Sequence, residues 1–276
     1  MNKKYFCSFA DKRLYRSLSR ISHQAVQMEI YDTIYLFDES NLDNSFREKF
    51  SEHLRPGTRG YGYWCWKPQV ILQILEKMND GDILQYTDSG CHLNPAGKKR
   101  LLEYFEIVSK SNSGILAFRS KSAEEKDKED LNPVILEYQY NKADLLNRFD
   151  FLDKEEITKS PQFQGGIIFI RKDNSTVDFV KKWISVFEES FSFIDDSPSI
   201  IPNLSGFIEH RHDQSIFSLL CKQIKVDYLF TNEYFTINNW EKLDDKPIWV
   251  KWDKDFGICE RVRNYIKRKL KFLFTK

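Results

Sequence analysis

The chain has 276 residues, 41% hydrophobic and 30% charged, enough apolar material for a packed core and too much for an intrinsically disordered chain. Its formal net charge of +1 gives no global field of the kind that marks a nucleic-acid binder. The five cysteines (Cys7, Cys65, Cys91, Cys221, Cys259) are scattered, odd in number and without a C-x-x-C pair, which argues against a disulfide framework or structural zinc and for a reducing compartment.

The start, Met1–Lys4, is basic, but the apolar run Tyr5–Ala10 behind it is too short for a signal-peptide core and stops at Asp11. No stretch approaches a membrane span, so the expectation is a cytoplasmic protein. Tyr5–Ala10 reads as a first strand, Leu14, Leu18, Ile21 and Ala25 recur at helical spacing, and Thr33–Phe37 reads as a second buried strand; the opening is βαβ. Residues 40–55 are polar, helical with a loop, and Arg55–Gly62 is a loop by its Gly and Pro content. Pro68 opens a helix through Met78, and Ile83–Tyr86 is a strand running straight into Asp88. Asn94 and Pro95 read as N-cap and first helical position, with Leu101, Leu102, Phe105 and Val108 as the apolar face. Gly114–Phe118 is a strand, 120–132 a charged solvated loop, and 133–149 and 154–159 are helical. Phe163–Ile170 is a strand with two glycines at its start, followed by a helix around Val177–Phe187, a long loop over 192–207, a helix from His212 to Cys221, a strand at Val226–Phe230 and an extended segment at 247–252. This alternation predicts an α/β fold, a mostly parallel central sheet with helices on both faces, over a single domain of residues 1–255.

Ligands of open α/β sheets bind outside the carboxyl ends of strands, where Asp88 sits. A carboxylate delivered there suits a divalent cation or a ribose hydroxyl, and serves equally as a turn or N-cap residue. In Arg59–Pro68 the glycines allow close backbone approach, Trp64 and Trp66 either stack on a ligand or anchor the loop to the core, Lys67 and the helix N-terminus after it are candidates to meet phosphate, and Arg59 and Lys67 are candidate site residues. Glu209–Ser215 places ionisable residues at a loop-to-helix junction, and Asp213 suits both a cap and a site. Tyr140–Asp144 is a candidate for acceptor or phosphate contacts and otherwise a solvated helix face.

Taken in order, these segments resemble a known class. Leu84–Gly90 is similar to the strand-plus-Asp-x-Asp element of glycosyltransferases with the GT-A fold, Gln164-Gly165-Gly166-Ile167-Ile168 to their later Asn-x-Gly-apolar strand, and His212-Asp213-Gln214-Ser215 to the His-Asp-Glu-Ser and Asp-Gln elements of retaining galactosyl- and glucosyltransferases. With the Trp-x-Trp-Lys-Pro run added, residues 1–230 resemble bacterial glycosyltransferases of surface-polysaccharide synthesis, lipopolysaccharide or capsule.

The resemblance implies a three-layer α/β/α sandwich, a nucleotide-diphospho-sugar donor such as a UDP-sugar, and a glycan or lipid-linked glycan acceptor, with no nucleic acid. It places the nucleobase by Phe9, Ala10, Asp11 and Arg16, and the rest of the donor by Arg59, Trp66, Lys67, Asp88, Ser89, Gly90, Gln164, Gly165 and Gly166. Catalysis is expected from Asp213, with His212 as runner-up and Gln214 beside them. Mn²⁺ or Mg²⁺ is expected on Asp88 with help from His212 or His92; the second acidic position of the pattern is Gly90 here, which leaves neutralisation by basic side chains as the other route. A nucleotidyltransferase on a similar sheet, or a non-catalytic glycan- or nucleotide-binding protein of the same fold, are the alternatives.

Residues 256–276 are expected to form a basic amphipathic helix. Arg261–Lys276 holds seven basic and no acidic residues beside the apolar stripe Val262, Ile266, Leu270 and Leu273. That suits peripheral contact with the anionic inner face of the cytoplasmic membrane, or docking on its own domain.

Overall fold

The computed structural model describes residues 2–237, 240–252 and 254. Strand β1 (Lys4–Phe9) leads into helix α1 (Tyr15–Met28) and then β2 (Thr33–Phe37), which lies parallel to β1 with Tyr5 opposite Thr33. There follow α2 (Asn44–Lys49), α3 (Trp66–Leu75), β3 (Ile83–Thr87), β4 (Cys91–Leu93), α4 (Lys98–Lys110) and β5 (Ile115–Arg119). The second half holds α5 (Ala143–Arg148), β6 (Phe163–Arg171), α6 (Asn174–Glu189), α7 (Asp213–Ile224), β7 (Asp227–Phe230) and β8 (Ile248–Val250).

Six strands form one sheet in the order β2-β1-β3-β6-β5-β7. Only β6 runs against the others, being antiparallel to both β3 and β5. Its start therefore lies at the same sheet edge as the ends of β1 and β3. The sheet is buried on both faces, as a mostly parallel sheet requires. Side-chain alternation sends Phe6, Leu116, Phe118, Ile167 and Phe169 to the layer of α1 and α4. Cys7, Phe9, Tyr86, Ile168 and Ile170 point to the layer of α3, α6 and α7, where Trp183 is fully buried. The result is the expected α/β/α sandwich. Cys7, Cys65, Cys91 and Cys221 are free and buried, and Cys259 lies outside the described residues, as does the predicted helix over 256–276. Among the described residues no helix is long and apolar enough to cross a membrane.

Two stretches differ from the sequence reading. Helix α3 begins at Trp66, two residues before Pro68, because a left-handed turn at Tyr61–Trp64 reverses the chain and lets Cys65 enter the helix directly. Pro68 still falls in the first turn, where no N–H is missed. Residues 133–149 form two short helical pieces, Glu137–Tyr140 and α5, rather than one helix. Asn141 closes the first by donating to the Glu137 carbonyl and carboxylate. Extended Lys142 then starts the second, whose first N–H groups are capped by Asn203 and Ser199.

Strands β4 and β8 form a separate two-stranded antiparallel sheet, Cys91 opposite Val250. Asn94 extends the fastening: its side-chain amide donates to the carbonyls of Asp244 and Lys246 while its Oδ1 accepts the Ala96 N–H. The returning chain packs so closely that a Cβ on Gly97 would sit 2.2 Å from the Pro247 nitrogen and 2.3 Å from the Lys246 carbonyl carbon. Neither is a flexible side-chain end that can give way. Gly97→Ala is expected to cost about 1–3 kcal/mol in urea unfolding and to make the segment around Leu243–Pro247 more sensitive to proteolysis, as overpacking against backbone forces it to shift.

Candidate active site

A cleft of about 820 Å³ opens at the edge of the sheet where β1 and β3 end and β6 begins. The chain reverses its direction of strand addition between β1 and β3, so this is a topological switch point. The far wall comes from Thr231, Tyr234, Phe235 and Val250, which the β4–β8 pairing holds in place.

Lys67 occupies the floor. It lies in the first turn of α3, and the preceding turn aims it under the sheet edge, where its side chain is 3% exposed. The ammonium donates to the Gly165 carbonyl at 2.9 Å. It also lies 2.7 Å from Asp213 Oδ2, angled away from a good hydrogen bond, and 3.4 Å from Asp88 Oδ1. Burial opposes its charge, but Asp213 and Asp88 outweigh that and hold its pKa above that of an ordinary lysine.

Asp88 follows the last residue of β3. Its backbone N–H donates to Gly166 O, and Tyr86, two residues earlier on the same strand face, donates its hydroxyl to Asp88 Oδ1 at 2.6 Å. A Cβ on Gly166 would approach Asp88 Oδ2 to 3.1 Å, so this glycine leaves room for the carboxylate to lie against β6. Arg20 from α1 donates to the carbonyls of Ser89 and Cys91 and fixes the loop carrying Gly90.

Asp213 opens α7 and is 3% exposed. Burial raises its pKa, Lys67 pulls it down and the nearby Asp88 adds to the rise, leaving it pushed up to about 6. His212 before it adopts φ +55°, a strained left-handed conformation for a non-glycine residue, which turns the chain into the helix. Its Nδ1 lies 2.6 Å from the Ile194 carbonyl and the ring stacks on Trp64. Burial lowers the pKa of this ring, favouring the neutral form that donates from Nδ1.

Gln214 is oriented by a chain of amides. Buried Glu137 accepts from Gln162 Nε2 at 3.2 Å, Gln162 Oε1 accepts from Gln214 Nε2 at 2.7 Å, and Gln214 Oε1 therefore faces the Gly165 N–H at 3.2 Å. Ser218 and Asn141 also donate to Glu137, and Lys222 lies 3.6 Å from it.

Most of the residues expected from sequence meet here. Phe9, Ala10, Asp11, Arg59, Trp66, Asp88, Ser89, Gly90, Gln164, Gly166, His212 and Gln214 all border the cleft with Lys67 and Asp213, and Gly165 lies beneath as the carbonyl partner of Lys67. Trp66 stacks on Phe9 at 3.8 Å and donates its indole N–H to Gly60 O, so it is a structural ring that also forms wall. Arg16 does not border the cleft; its guanidinium meets the Tyr15 hydroxyl, and Arg13 is the cleft residue of that turn. Asp11 caps the turn after β1 and is held by the Arg13 guanidinium at 2.6 Å. The 140–144 segment is no solvated face: Asn141, Lys142 and Ala143 are buried, and Lys142 pairs with Asp195. Sequence reasoning singled out the segments that hold Tyr86 and Arg211 without giving either residue a role, and missed Arg20 and the Glu137–Gln162 relay, which no local pattern marks.

A divalent cation needs several oxygen ligands converging at about 2.0–2.6 Å. The two carboxylates that border this floor converge on the Lys67 ammonium instead, and His212 spends Nδ1 on Ile194. His92 meets Gln24. Among the described residues no group of three His, Cys, Asp or Glu comes together, so the side chains as arranged do not fit such an ion.

No family model matches the chain, and no curated protein matches its sequence. Solved structures do match. The bifunctional glycosyltransferase WbbM superposes with a TM-score of 0.50 at 11% identity, over 92% of this chain and 46% of its own. A glycosyltransferase involved in glycosylating the major capsid of PBCV-1 gives 0.48 at 12% identity, over 95% and 99% of the two chains. The galactosyltransferase LgtC, in complex with donor and acceptor sugar analogues, gives 0.43 at 11%, over 94% of each. Identities this low show the fold alone, and that fold is the GT-A type of α/β sandwich.

The Glu137 relay has a measurable weight. Glu137→Ala leaves three donors without their acceptor and removes the carboxylate beside Lys222, which keeps Ser160 and the Pro161 carbonyl, and is expected to destabilise the protein by about 3–5 kcal/mol in urea denaturation, the range for breaking a buried pair by removing one partner.

Proposed function

We propose that the protein transfers a sugar from a nucleotide-diphospho-sugar donor to a glycan acceptor. What supports this best is the convergence of Asp88, from the end of β3, and Asp213, from the start of α7, on Lys67 at the floor of a switch-point cleft. A GT-A-type fold carrying two carboxylates there has what the chemistry needs: negative charge beside a developing oxocarbenium centre and a group able to take a proton from the acceptor hydroxyl. Asp88, with a side chain 37% exposed, faces the donor sugar. Asp213 is the base, and Gln214, held by its amide chain, positions the sugar between them. The acceptor belongs to the glycans of a cell surface, carried on a lipid. The basic stretch Arg261–Lys276 supports contact with an anionic membrane face during that transfer.

A panel of nucleotide-sugars assayed for nucleoside diphosphate release tests the reading. One donor is expected to be turned over, and Asp88→Asn is expected to lower kcat by about 100-fold or more at unchanged melting temperature. Release of pyrophosphate from nucleoside triphosphates would instead indicate nucleotidyl transfer, and no turnover or binding of any donor would remove the proposal.

The pH profile tests the base. A carboxylate with its pKa raised to about 6 is protonated, and idle as a base, at pH 5, where an ordinary aspartate remains ionised. Activity is therefore expected to rise with pH through about 6. An acid limb near pH 4 would show that Asp213 is not the base.

A further inference from the structure

The cleft wall holds two guanidinium groups that the proposed chemistry has not used. Arg59 and Arg211 both border the cleft, with side chains 45% and 42% exposed. They share Glu209, at 3.4 Å and 3.0 Å, and Arg59 also meets Asp196 at 3.1 Å. Both arginines border the cleft, whereas Glu209 and Asp196 do not. The Arg211 guanidinium carbon lies over the Tyr140 ring, 4.7 Å from its centroid, a cation–π contact that helps to hold it at the wall. A guanidinium offers more N–H donors than one carboxylate uses, and its fork matches two phosphate oxygens.

The floor tells the same story from the other side. Lys67 already stands between Asp88 and Asp213, so the positive charge that these two carboxylates call for is supplied by the chain itself. Its neighbours are two carboxylates and a carbonyl, so it is committed to the protein and leaves the diphosphate to the wall.

We propose that the protein binds the diphosphate of its donor through the Arg59–Arg211 pair, with Lys67 as the resident cation that holds Asp88 and Asp213 together, and that binding needs no divalent metal. This rests on the glycosyl-transfer reading above and specifies how that site takes its donor.

Calorimetry with uridine and guanosine diphosphates as probes, in EDTA and in Mn²⁺, tests it on the full chain. One of the two is expected to bind with the same affinity in both buffers, within about threefold, and Arg59→Ala/Arg211→Ala is expected to weaken binding in EDTA by about tenfold or more while the far-ultraviolet circular dichroism stays that of the parent. Electron paramagnetic resonance of Mn²⁺ alone is expected to show no saturable site in the parent protein. Lys67→Ala, where it folds, is expected to gain one by freeing two facing carboxylates. Binding that needs Mn²⁺, a stoichiometric Mn²⁺ site in the parent, or an arginine double variant with parental affinity would each overturn the inference and leave glycosyl transfer standing. Failure of both diphosphates to bind in either buffer would overturn the inference, and the donor panel above then decides separately whether glycosyl transfer stands.

Discussion

An ammonium group taken out of water is tolerable only where opposite charge and hydrogen-bond acceptors replace what water supplied. Lys67 meets that condition with Asp213, Asp88 and the Gly165 carbonyl, and each partner arrives from a different element. One comes with the start of α7, one with the end of β3, and one with the only strand that runs against the sheet. Satisfying one buried charge therefore fixes the relative position of three elements at one edge. Removing the ammonium itself would leave two facing carboxylates without compensation in a place water reaches poorly.

The same economy explains the surroundings. Gly166 must lack a side chain so that Asp88 can lie against β6, and Tyr86 must be long enough to reach the carboxylate along the strand face. The strained backbone at His212 is tolerated because the ring behind it is held by Trp64 and by the Ile194 carbonyl. Glu137, deep behind the cleft, settles which way the Gln214 amide points without touching the cleft itself. The strained backbone at Tyr61–Trp64 and His212 and the buried polarity at Lys67 and Asp213 gather around the cleft, while the helices on either face stay conventionally apolar.

How much of this the sequence discloses depends on the range of the interaction. Strands such as Thr33–Phe37 and helices such as Asn174–Glu189 announce themselves by periodicity, a local property. Asp88, Gly166 and Asp213 each sit at a junction that composition marks, and the resemblance to glycosyltransferases named them as site candidates; the fold brings all three to one cleft. The pairing of Lys67 with two aspartates was not legible, since it joins residues from three separate stretches and no spacing rule connects them. The fate of Asp11 shows the converse limit: a carboxylate at a strand end, expected to face a base, is taken by Arg13 two residues on. Arg16 and Arg13 both follow that strand, and only the turn geometry of the folded chain decides which reaches the cleft. The 137–148 region failed for a similar reason, because Asn141 serves the backbone rather than helix propensity.

The β4–β8 ladder has a bearing on the order in which the molecule comes together. The Asn94 amide and the Lys246 carbonyl it binds are 152 positions apart in the chain, so this contact closes one of the longest loops of the fold. Until it closes, β4 has no partner and the wall bearing Tyr234 and Val250 is not in place. A growing chain emerging from the ribosome therefore carries Asp88, Lys67 and Asp213 before it carries a complete cleft, and that wall is finished only once β8 has joined β4.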